Sequence, residues 1–360
     1  AEPYGGAITR GLEKDDYSEL EHLREQDNRY RLRITNEVDE QQYTNLMELW
    51  VLDHDPGTRV LADQDGHLHT VGNVRQLLKA SDSAGADLAP WLRATDRLIW
   101  EPEAVPDAQG NLRREITMEF PKPAGATSAK LVVNAATGLW GSYMIKKMVE
   151  LRGRAARDWF WKIDHDPGEV RSLFAWDLRE ELFALKIYVQ EPTGWEVRGV
   201  LQGMGPFISK DRVVPLDITR VRSDRLRIRI RPPAGFWALN SFAVDYTRDA
   251  AVNLTRVPPA SARDNQGRAV LAQLRAVDDQ YYVMPTTADW ADVDFVVPAR
   301  RAGRQRTIFL HSRGYYTLHL QNGGEPDTHA IAQIQNVPET PAHFAAAAYA
   351  EWRAERNGTP

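Results

Sequence analysis

A pentapeptide of metal-ligating residue types, Asp-His-Asp-Pro-Gly, occurs at residues 53–57 and again at residues 164–168. The first copy is followed by two histidines spaced two residues apart, so both can project from one strand face toward a Zn²⁺ ion. A further ligand would come from the neighbouring strand. The predicted metal ligands are Asp53, His54, His67 and His69. The chain has no cysteine, so a metal site has to use His, Asp, Glu or backbone oxygen atoms.

Two other interpretations of these residues remain open. Asp63 and Asp65 resemble the beginning of a calcium-binding loop, but Val74 occupies the position where such a loop has a bidentate Glu. Asp-Pro-Gly is also a turn sequence, because Pro fixes φ at the first corner and Gly accommodates the second. The two pentapeptides have different flanking sequences, which argues against a duplicated domain. We therefore expect two independent turns and no bound cofactor, with Zn²⁺ or Ca²⁺ at the first copy as the alternative.

A second candidate site is the basic segment 225–231, in which four arginines alternate with Leu and Ile. On a β-strand this pattern places the guanidinium groups on one face and the apolar side chains on the other. Such a face suits phosphate, sulfate or uronate groups, which arginine binds with paired hydrogen bonds. The same pattern also describes a solvent-facing sheet whose arginines pair with acids on adjacent strands.

Aromatic residues near this segment form a third candidate. Trp195 and the pair Phe236-Trp237 are expected at strand ends or loops, where exposed rings would form a platform for a sugar or a partner protein. Packing in the core is the alternative for each ring. The predicted ligand-binding or partner-binding residues are Trp195, Arg225, Arg227, Arg229, Arg231, Phe236 and Trp237.

The chain carries no recognisable catalytic motif: it has no Gly-x-Ser-x-Gly elbow, phosphate-binding glycine loop or HExxH helix. Ser312 and the histidines supply parts of a hydrolase without a spacing that identifies one. The net charge of −5 gives no general reason to bind nucleic acid. No apolar run approaches the roughly 20 residues that cross a bilayer. The start at Ala1 resembles the product of signal-peptidase cleavage, so we expect export.

Local patterns predict the elements that would hold these residues. Segments of the form Asp-x-x-Gly, each followed by a strand-like sequence, predict β-hairpin turns at Asp63, Asp107 and Asp264. Tyr30, Leu32 and Ile34 alternate with polar residues as in a strand with one buried face. Apolar residues at helical spacing before Gly153 predict a helix that ends there.

These patterns predict a mainly β protein with two or more antiparallel, jelly-roll-like β-sandwich domains. We expect a helical insertion near 140–162 and a C-terminal helix. The predicted partition is a surface arm (1–30), a first β domain (31–135), a helical connection (136–170), a second β-sandwich (171–257) and a β-rich C-terminal region (258–360). Pro258-Pro259 is the best hinge candidate.

One stretch resembles a segment of large bacterial exported proteins that carry FG-GAP propeller or tetratricopeptide repeats. The matching positions are Trp195, Val197, Gly205-Pro206, Val214, Leu216-Asp217, Arg227 to Arg231, Trp237 and Asp245. The segments NEVDEQQYTNLMELWVLDHDPGTRV and RTIFLHSRGYYTLHL also resemble parts of those proteins. The resemblance implies an exported β-sandwich and carries no catalytic residues.

We therefore expect a periplasmic or extracellular β-sandwich protein that acts as a structural or protein-binding subunit of a larger bacterial assembly, by binding a partner protein or by self-assembly. Binding of a polysaccharide, or its processing, is the first alternative. A metal-dependent enzyme is the second alternative. Neither nucleic-acid binding nor a transmembrane segment is expected.

Overall fold

The computed structural model describes residues 4–96, 98–206, 210–321 and 323–357. The strands are β1 (Lys14–Glu19), β2 (Arg29–Thr35), β3 (Glu40–His54), β4 (Arg59–Ala62), β5 (Leu68–Val71), β6 (Val74–Gln76), β7 (Lys79–Asp82), β8 (Ile116–Pro121), β9 (Ser128–Thr137), β10 (Ala184–Glu191), β11 (Gly194–Gln202), β12 (Lys210–Asp217), β13 (Arg225–Ile230), β14 (Trp237–Asp245), β15 (Asn253–Val257), β16 (Ser261–Asp264), β17 (Tyr282–Met284), β18 (Trp290–Val296) and β19 (Gln305–Leu318). The α-helices are α1 (Ala89–Leu92), α2 (Leu139–Glu150), α3 (Ala156–His165), α4 (Pro167–Glu180), α5 (Thr328–Asn336) and α6 (Thr340–Asn357). With 40% strand and 22% helix, the protein is mainly β, as predicted.

The chain folds into two compact units, each assembled from three separate stretches. Unit 1 comprises residues 1–72, 160–167 and 248–320, and unit 2 comprises residues 73–159, 168–247 and 321–360. This division differs from the predicted series of consecutive domains, because strands far apart in sequence pair with each other. Pro258-Pro259 connects β15 to β16 inside unit 1 and therefore marks no boundary between units.

Unit 1 is built on a five-stranded antiparallel sheet in the order β1-β19-β3-β15, with β17 also paired to β3. One face of β3 packs Met47, Leu49 and Val51 into a core shared with the three-stranded sheet β16-β18-β2. The other face packs Trp50 and Leu52 against the β4–β5 hairpin. This strand is therefore buried on both faces from Met47 to Leu52.

Unit 2 is a sandwich of two antiparallel sheets, β11-β10-β13-β8-β7 and β12-β9-β14-β6. Alternate residues of β13, namely Leu226, Ile228 and Ile230, are fully buried in the core between the sheets. Burying each such side chain contributes about 1.5–3 kcal/mol to folding. The predicted alternation in 225–231 is confirmed, so the intervening arginines face away from the core.

The helical stretch runs from residue 139 to 180 and is longer than the predicted insertion at 140–162. The second pentapeptide lies inside it, because His165 ends α3 and Pro167 begins α4. Proline fits the first position of a helix, where no N–H is required. The prediction of a turn followed by strands from about 171 overlooked α4, whose less exposed positions include Leu173 and Trp176 at helical spacing. Among the described residues, no helix combines the length and apolarity needed to cross a membrane.

The predicted N-terminal surface arm is part of unit 1. Residues Lys14–Glu19 form β1 and pair with β19, and Tyr4, Ile8 and Leu12 are buried. Acidic composition suggested a solvated arm, but a carboxylate of β1 pairs instead with a cation of β19, as Asp15 does with Arg313.

The three predicted Asp-x-x-Gly turns share one geometry, and Asp82 begins a fourth turn of the same kind. In each turn the Asp N–H donates to the carbonyl four residues on, and the Gly N–H donates to the Asp carbonyl. One Asp carboxylate oxygen accepts the N–H groups two and four residues on. The glycines have φ between 77° and 88°, in the left-handed region that glycine tolerates best. The turn prediction is confirmed at all three positions, and at Asp63 the turn joins the paired strands β4 and β5. At Asp107 no strand of the described chain directly precedes the turn, so the predicted hairpin is not formed there.

Substituting two of these glycines separates backbone strain from crowding. Alanine at either position costs about 1–2 kcal/mol, because it must adopt the left-handed conformation. A Cβ at Gly66 would also lie 2.4 Å from Cζ of Tyr17, whereas Gly267 has nothing within 4 Å. We expect Gly66→Ala to lose about 1–3 kcal/mol more than Gly267→Ala in the free energy of unfolding, measured by urea denaturation. Equal losses would contradict the close approach of Tyr17.

Candidate functional site

The outer face of the larger sheet in unit 2 gathers the predicted arginines and one predicted tryptophan. Strand register places Arg227 opposite Glu119 of β8, and Arg229 opposite Tyr188 of β10. Trp195 of β11 lies opposite Gln190, on the same face as Tyr188. We call this surface the arginine face. Its members are Glu115, Glu119, Tyr188, Gln190, Trp195, Arg225, Arg227, Arg229 and Arg231.

Arg227 is held by neighbours on both adjacent strands. Its Nε donates to Oε1 of Glu119 at 2.8 Å, and Nη1 donates to Oε1 of Gln190 at 3.3 Å. Because these contacts fix the guanidinium while its side chain remains 47% exposed, Arg227 presents an oriented positive charge to solvent.

Arg229 is held mainly by aromatic rings. Its guanidinium carbon lies 4.6 Å from the ring centre of Trp195 and 5.2 Å from that of Tyr188. Its Nη1 reaches Oε1 of Glu115 only at 3.5 Å, and its buried Nε has no hydrogen-bond partner among the described residues. Arg229 therefore combines a position fixed by stacking with a positive charge that the nearest carboxylate pairs only at 3.5 Å.

The arginine face is locally basic in an acidic chain. Four arginines share the face with two glutamates, whereas the whole chain has a net charge of −5. Arg231 approaches the same carboxyl group as Arg229, with Nε 3.8 Å from Oε2 of Glu115. The surplus positive charge suits a carboxylate, sulfate or phosphate, which a guanidinium binds with two parallel hydrogen bonds.

Phe236 and Trp237, which were predicted to form an exposed platform, are core residues with 0% exposure. The Trp237 indole donates to the carbonyl of Glu181 at 3.2 Å, and the Phe236 ring contacts Phe183. The two rings sit where β14 begins between the sheets, so they stabilise the sandwich and offer no surface to a ligand.

Sequence reasoning missed the residues that neighbouring strands contribute to the arginine face. Tyr188 and Gln190 alternate with the buried Ile187 and Val189 in β10. That alternation was a usable signal, but only strand pairing shows that these side chains lie beside β13.

The first pentapeptide forms the predicted turn, with Gly57 at φ 79°. Asp53 lies just before it and forms paired hydrogen bonds with Arg306, whose Nε and Nη2 lie 2.8 and 2.9 Å from the two carboxylate oxygens. Bonding to Arg306 holds the pKa of Asp53 below its ordinary value. Nε2 of His54 lies 2.9 Å from the hydroxyl of Thr307.

The surroundings of the first pentapeptide are basic. An open pocket of about 450 Å³ lies beside it and is lined by Arg59, Arg300 and Arg306 as well as His54. Arginines repel a metal cation, and Asp53 is already occupied by Arg306. The structure therefore places Asp53 and His54 with arginines and hydroxyls, whereas His67 lies in a different group, with Asp63 and Asp65.

His311 is clamped between two carboxylates in unit 1. Its Nδ1 lies 2.8 Å from Oε1 of Glu48, and Nε2 lies 2.8 Å from Oδ1 of Asp15. Burial disfavours the imidazolium, but these two carboxylates outweigh burial and raise the pKa of His311. Burial opposes ionisation of Asp15 and Glu48, but His311, together with Arg313 at Asp15 and the Trp50 indole at Glu48, outweighs burial and lowers the pKa of both.

The position of Ser312 separates it from the neighbouring histidine. Successive side chains of a strand point to opposite faces, so Ser312 lies on the other face of β19 from His311. His311 is also held by two acceptors. The adjacent Ser and His therefore do not form a nucleophile–base pair.

No protein-family model matches the chain, and no curated protein sequence matches it either. The contacts described above are the basis for a functional assignment.

The clamp at His311 predicts a specific dependence of stability on pH. Because the folded pKa of His311 is raised, its contribution is fully present below the usual value of 6.5 and is lost as pH rises through the folded value. We expect His311→Gln to cost about 1.5–3 kcal/mol near pH 6 and less at higher pH, measured by urea denaturation across this range.

The free-energy cost of His311→Gln should also fall in acid. Asp15 and Glu48 keep their charge down to a lower pH in the folded protein, and the clamp is lost as the pH falls through their lowered pKa values. The exposed pair His319–Asp39 supplies the control, and His319→Gln should change stability by less than about 1 kcal/mol. A cost for His311→Gln that stays constant across pH would show that the charged clamp is not formed.

Proposed function

We propose that this protein is a non-catalytic binding subunit that docks a partner protein through the arginine face. The observation that carries this proposal is Arg229, which stacks near Trp195 and Tyr188 and meets the carboxylate of Glu115 only at 3.5 Å. Trp, Tyr and Arg are the residues that most often dominate the binding energy of protein interfaces.

The proposed partner presents an acidic surface. Its carboxylates would pair with Arg229 and with the more exposed Arg227 and Arg225. Exposed charges mainly accelerate association, whereas a partly buried cation held by aromatic rings contributes to affinity once water is excluded. Arg229 should therefore govern how long the complex lasts.

The proposed setting is a larger assembly in a bacterial envelope or outside the cell. The resemblance of residues 195–245 to segments of exported bacterial proteins supports this setting. An acidic surface on a second copy of this chain would have the same chemistry as a partner protein. The test must therefore distinguish self-assembly from binding of another protein.

Carbohydrate binding is the second candidate function. One row across the sheet places Trp195, Gln190, Arg227 and Glu119 side by side. An aromatic ring beside hydrogen-bonding side chains is an arrangement that binds sugars, and the surplus of arginine favours a uronate or sulfated polysaccharide.

The decisive variant is Arg229→Ala, with Arg33→Ala as its matched control. Arg33 of unit 1 also stacks on a tryptophan, with its guanidinium 3.8 Å from the ring centre of Trp290. Its Nε and Nη2 form paired hydrogen bonds with the carboxylate of Asp292, at 2.7 and 2.8 Å. The two variants therefore remove the same kind of arginine–tryptophan contact, but the charge of Arg33 is already paired closely with a carboxylate, whereas Arg229 meets Glu115 only at 3.5 Å.

We expect the full chain to capture an acidic protein from the envelope fraction of its source, and the identified protein to bind about 30-fold more weakly to Arg229→Ala. Arg33→Ala should bind it like the unaltered protein. Light scattering separates capture of another protein from self-association. Equal binding by both variants would sink the proposal, even if a protein is captured.

A glycan array and quenching of tryptophan fluorescence test the second candidate with the same variants. A uronate or sulfated polysaccharide that binds the unaltered protein and Arg33→Ala, but not Arg229→Ala, would assign the arginine face to carbohydrate. Absence of any glycan signal would remove that candidate.

A further inference from the structure

The turn that connects β4 to β5 brings a carboxylate and two imidazoles together. Oδ1 of Asp63 accepts the N–H groups of Asp65 and His67, each at 2.9 Å, which fixes the orientation of the carboxylate. Oδ2 then faces Nδ1 of His67 at 3.1 Å and Nε2 of His69 at 3.3 Å. The ligand atoms of Asp63, Asp65 and His67 all lie within 4.8 Å of one another.

The two distances from Oδ2 of Asp63 to the imidazoles match the spacing of ligands around one zinc ion. Nitrogen and oxygen ligands bind Zn²⁺ at about 2.0–2.1 Å, and at a tetrahedral angle two such ligands lie about 3.3 Å apart. The contacts of Asp63 with His67 and His69, at 3.1 and 3.3 Å, have this length.

His69 supplies a second observation, because each of its ring nitrogens faces a carboxylate. Nδ1 lies 3.1 Å from Oδ2 of Asp249, and Oδ1 of Asp249 accepts the N–H of Thr70 at 2.8 Å. A neutral imidazole has one N–H group. When that group donates to Asp249, Nε2 presents a lone pair to the carboxylate of Asp63, and a cation between the two removes their repulsion.

The carboxylate–histidine pair also has a known use at metal sites. Histidines that bind a metal donate their second nitrogen to a carboxylate, which fixes the tautomer and the ring orientation. Asp249 is placed to do this for His69.

The other Asp-x-x-Gly turns show that the fold of the turn does not require histidine. In the turn at Asp264, Arg268 occupies the position of His67 and donates to the carboxylate at 2.6 Å. In the turn at Asp107, Asn111 donates there at 3.3 Å. Only the turn at Asp63, among the described turns of this kind, joins two histidines to a second carboxylate.

We propose that Asp63, Asp65, His67 and His69 bind one Zn²⁺ ion, with Asp249 orienting His69. Imidazole ligands favour zinc and related transition metals over Ca²⁺, which prefers oxygen. The His67 side chain is 73% exposed, so the ion can enter from solvent and retain a water molecule. The site keeps two of the residues predicted from sequence and replaces Asp53 and His54 with Asp63 and Asp65.

The test is a zinc titration of the full chain, prepared without a histidine tag and stripped with a chelator. Competition against a chromophoric chelator should show one equivalent of Zn²⁺ per chain. We expect His69→Gln and His67→Gln to weaken binding by more than about 100-fold, and Asp249→Asn to weaken it by about 10–100-fold. Arg268→Gln, at the equivalent position of the turn at Asp264, should bind zinc like the unaltered protein.

Circular dichroism of each variant verifies that the fold is retained, and the conservative Asp249→Asn remains informative if a histidine variant unfolds. Substitution with Co²⁺ adds a spectroscopic signature of tetrahedral nitrogen and oxygen ligands that should vanish in His69→Gln. Binding that does not saturate at one equivalent, or that is the same in all variants, would overturn the proposal. This outcome would leave the arginine face unaffected, since that proposal does not depend on zinc.

Discussion

The pairing of β3 with β19 is the interaction on which unit 1 depends. These strands of 15 and 14 residues lie more than 250 positions apart in the chain, yet they pair along nearly their whole length. Strands β1, β15 and β17 attach to this pair, and the two faces of β3 contribute to two separate cores. The entropy of closing so long a loop grows only slowly with its length, so one extended ladder can offset it. The same register sets Asp53 beside Arg306 and Glu48 beside His311.

In unit 2 a single strand serves both folding and the proposed binding surface. Ile228 of β13 is fully buried, and its neighbour Arg229 lies on the opposite face. A side chain carried by a strand that is locked into a core keeps its position, which favours binding because less freedom is lost when a ligand arrives. Substitutions in the core of β13 would therefore disturb the arginine face indirectly.

The arginines of this protein differ in how completely their donors are used. The side chain of Arg306 is 1% exposed and forms paired hydrogen bonds with Asp53, so it stabilises the fold. Arg33 is exposed but also forms paired hydrogen bonds with a carboxylate, that of Asp292. Arg229 has comparable aromatic support without a comparable acceptor. This contrast, rather than the number of arginines, distinguishes a binding surface from a network of internal ion pairs. A similar contrast separates the turn at Asp63 from the equivalent turns. His67 and His69 both face the carboxylate of Asp63, whereas a single donor faces the carboxylate at Asp264 and at Asp107.

The amino-acid sequence alone determined the features that depend on neighbours along the chain. The alternation of Arg with Leu and Ile in 225–231 specified a strand with its arginines on one face. The Asp-x-x-Gly segments specified their turns, because a few adjacent residues fix these conformations. Tertiary structure decided the rest. Trp237 is buried whereas Trp195 belongs to the arginine face, although both were expected at strand ends or loops. His69 meets Asp63 and Asp249, not Asp53, because strand pairing determines which distant carboxylate an imidazole reaches. The division into two units likewise follows from pairing between strands far apart in the chain, which local periodicity does not encode.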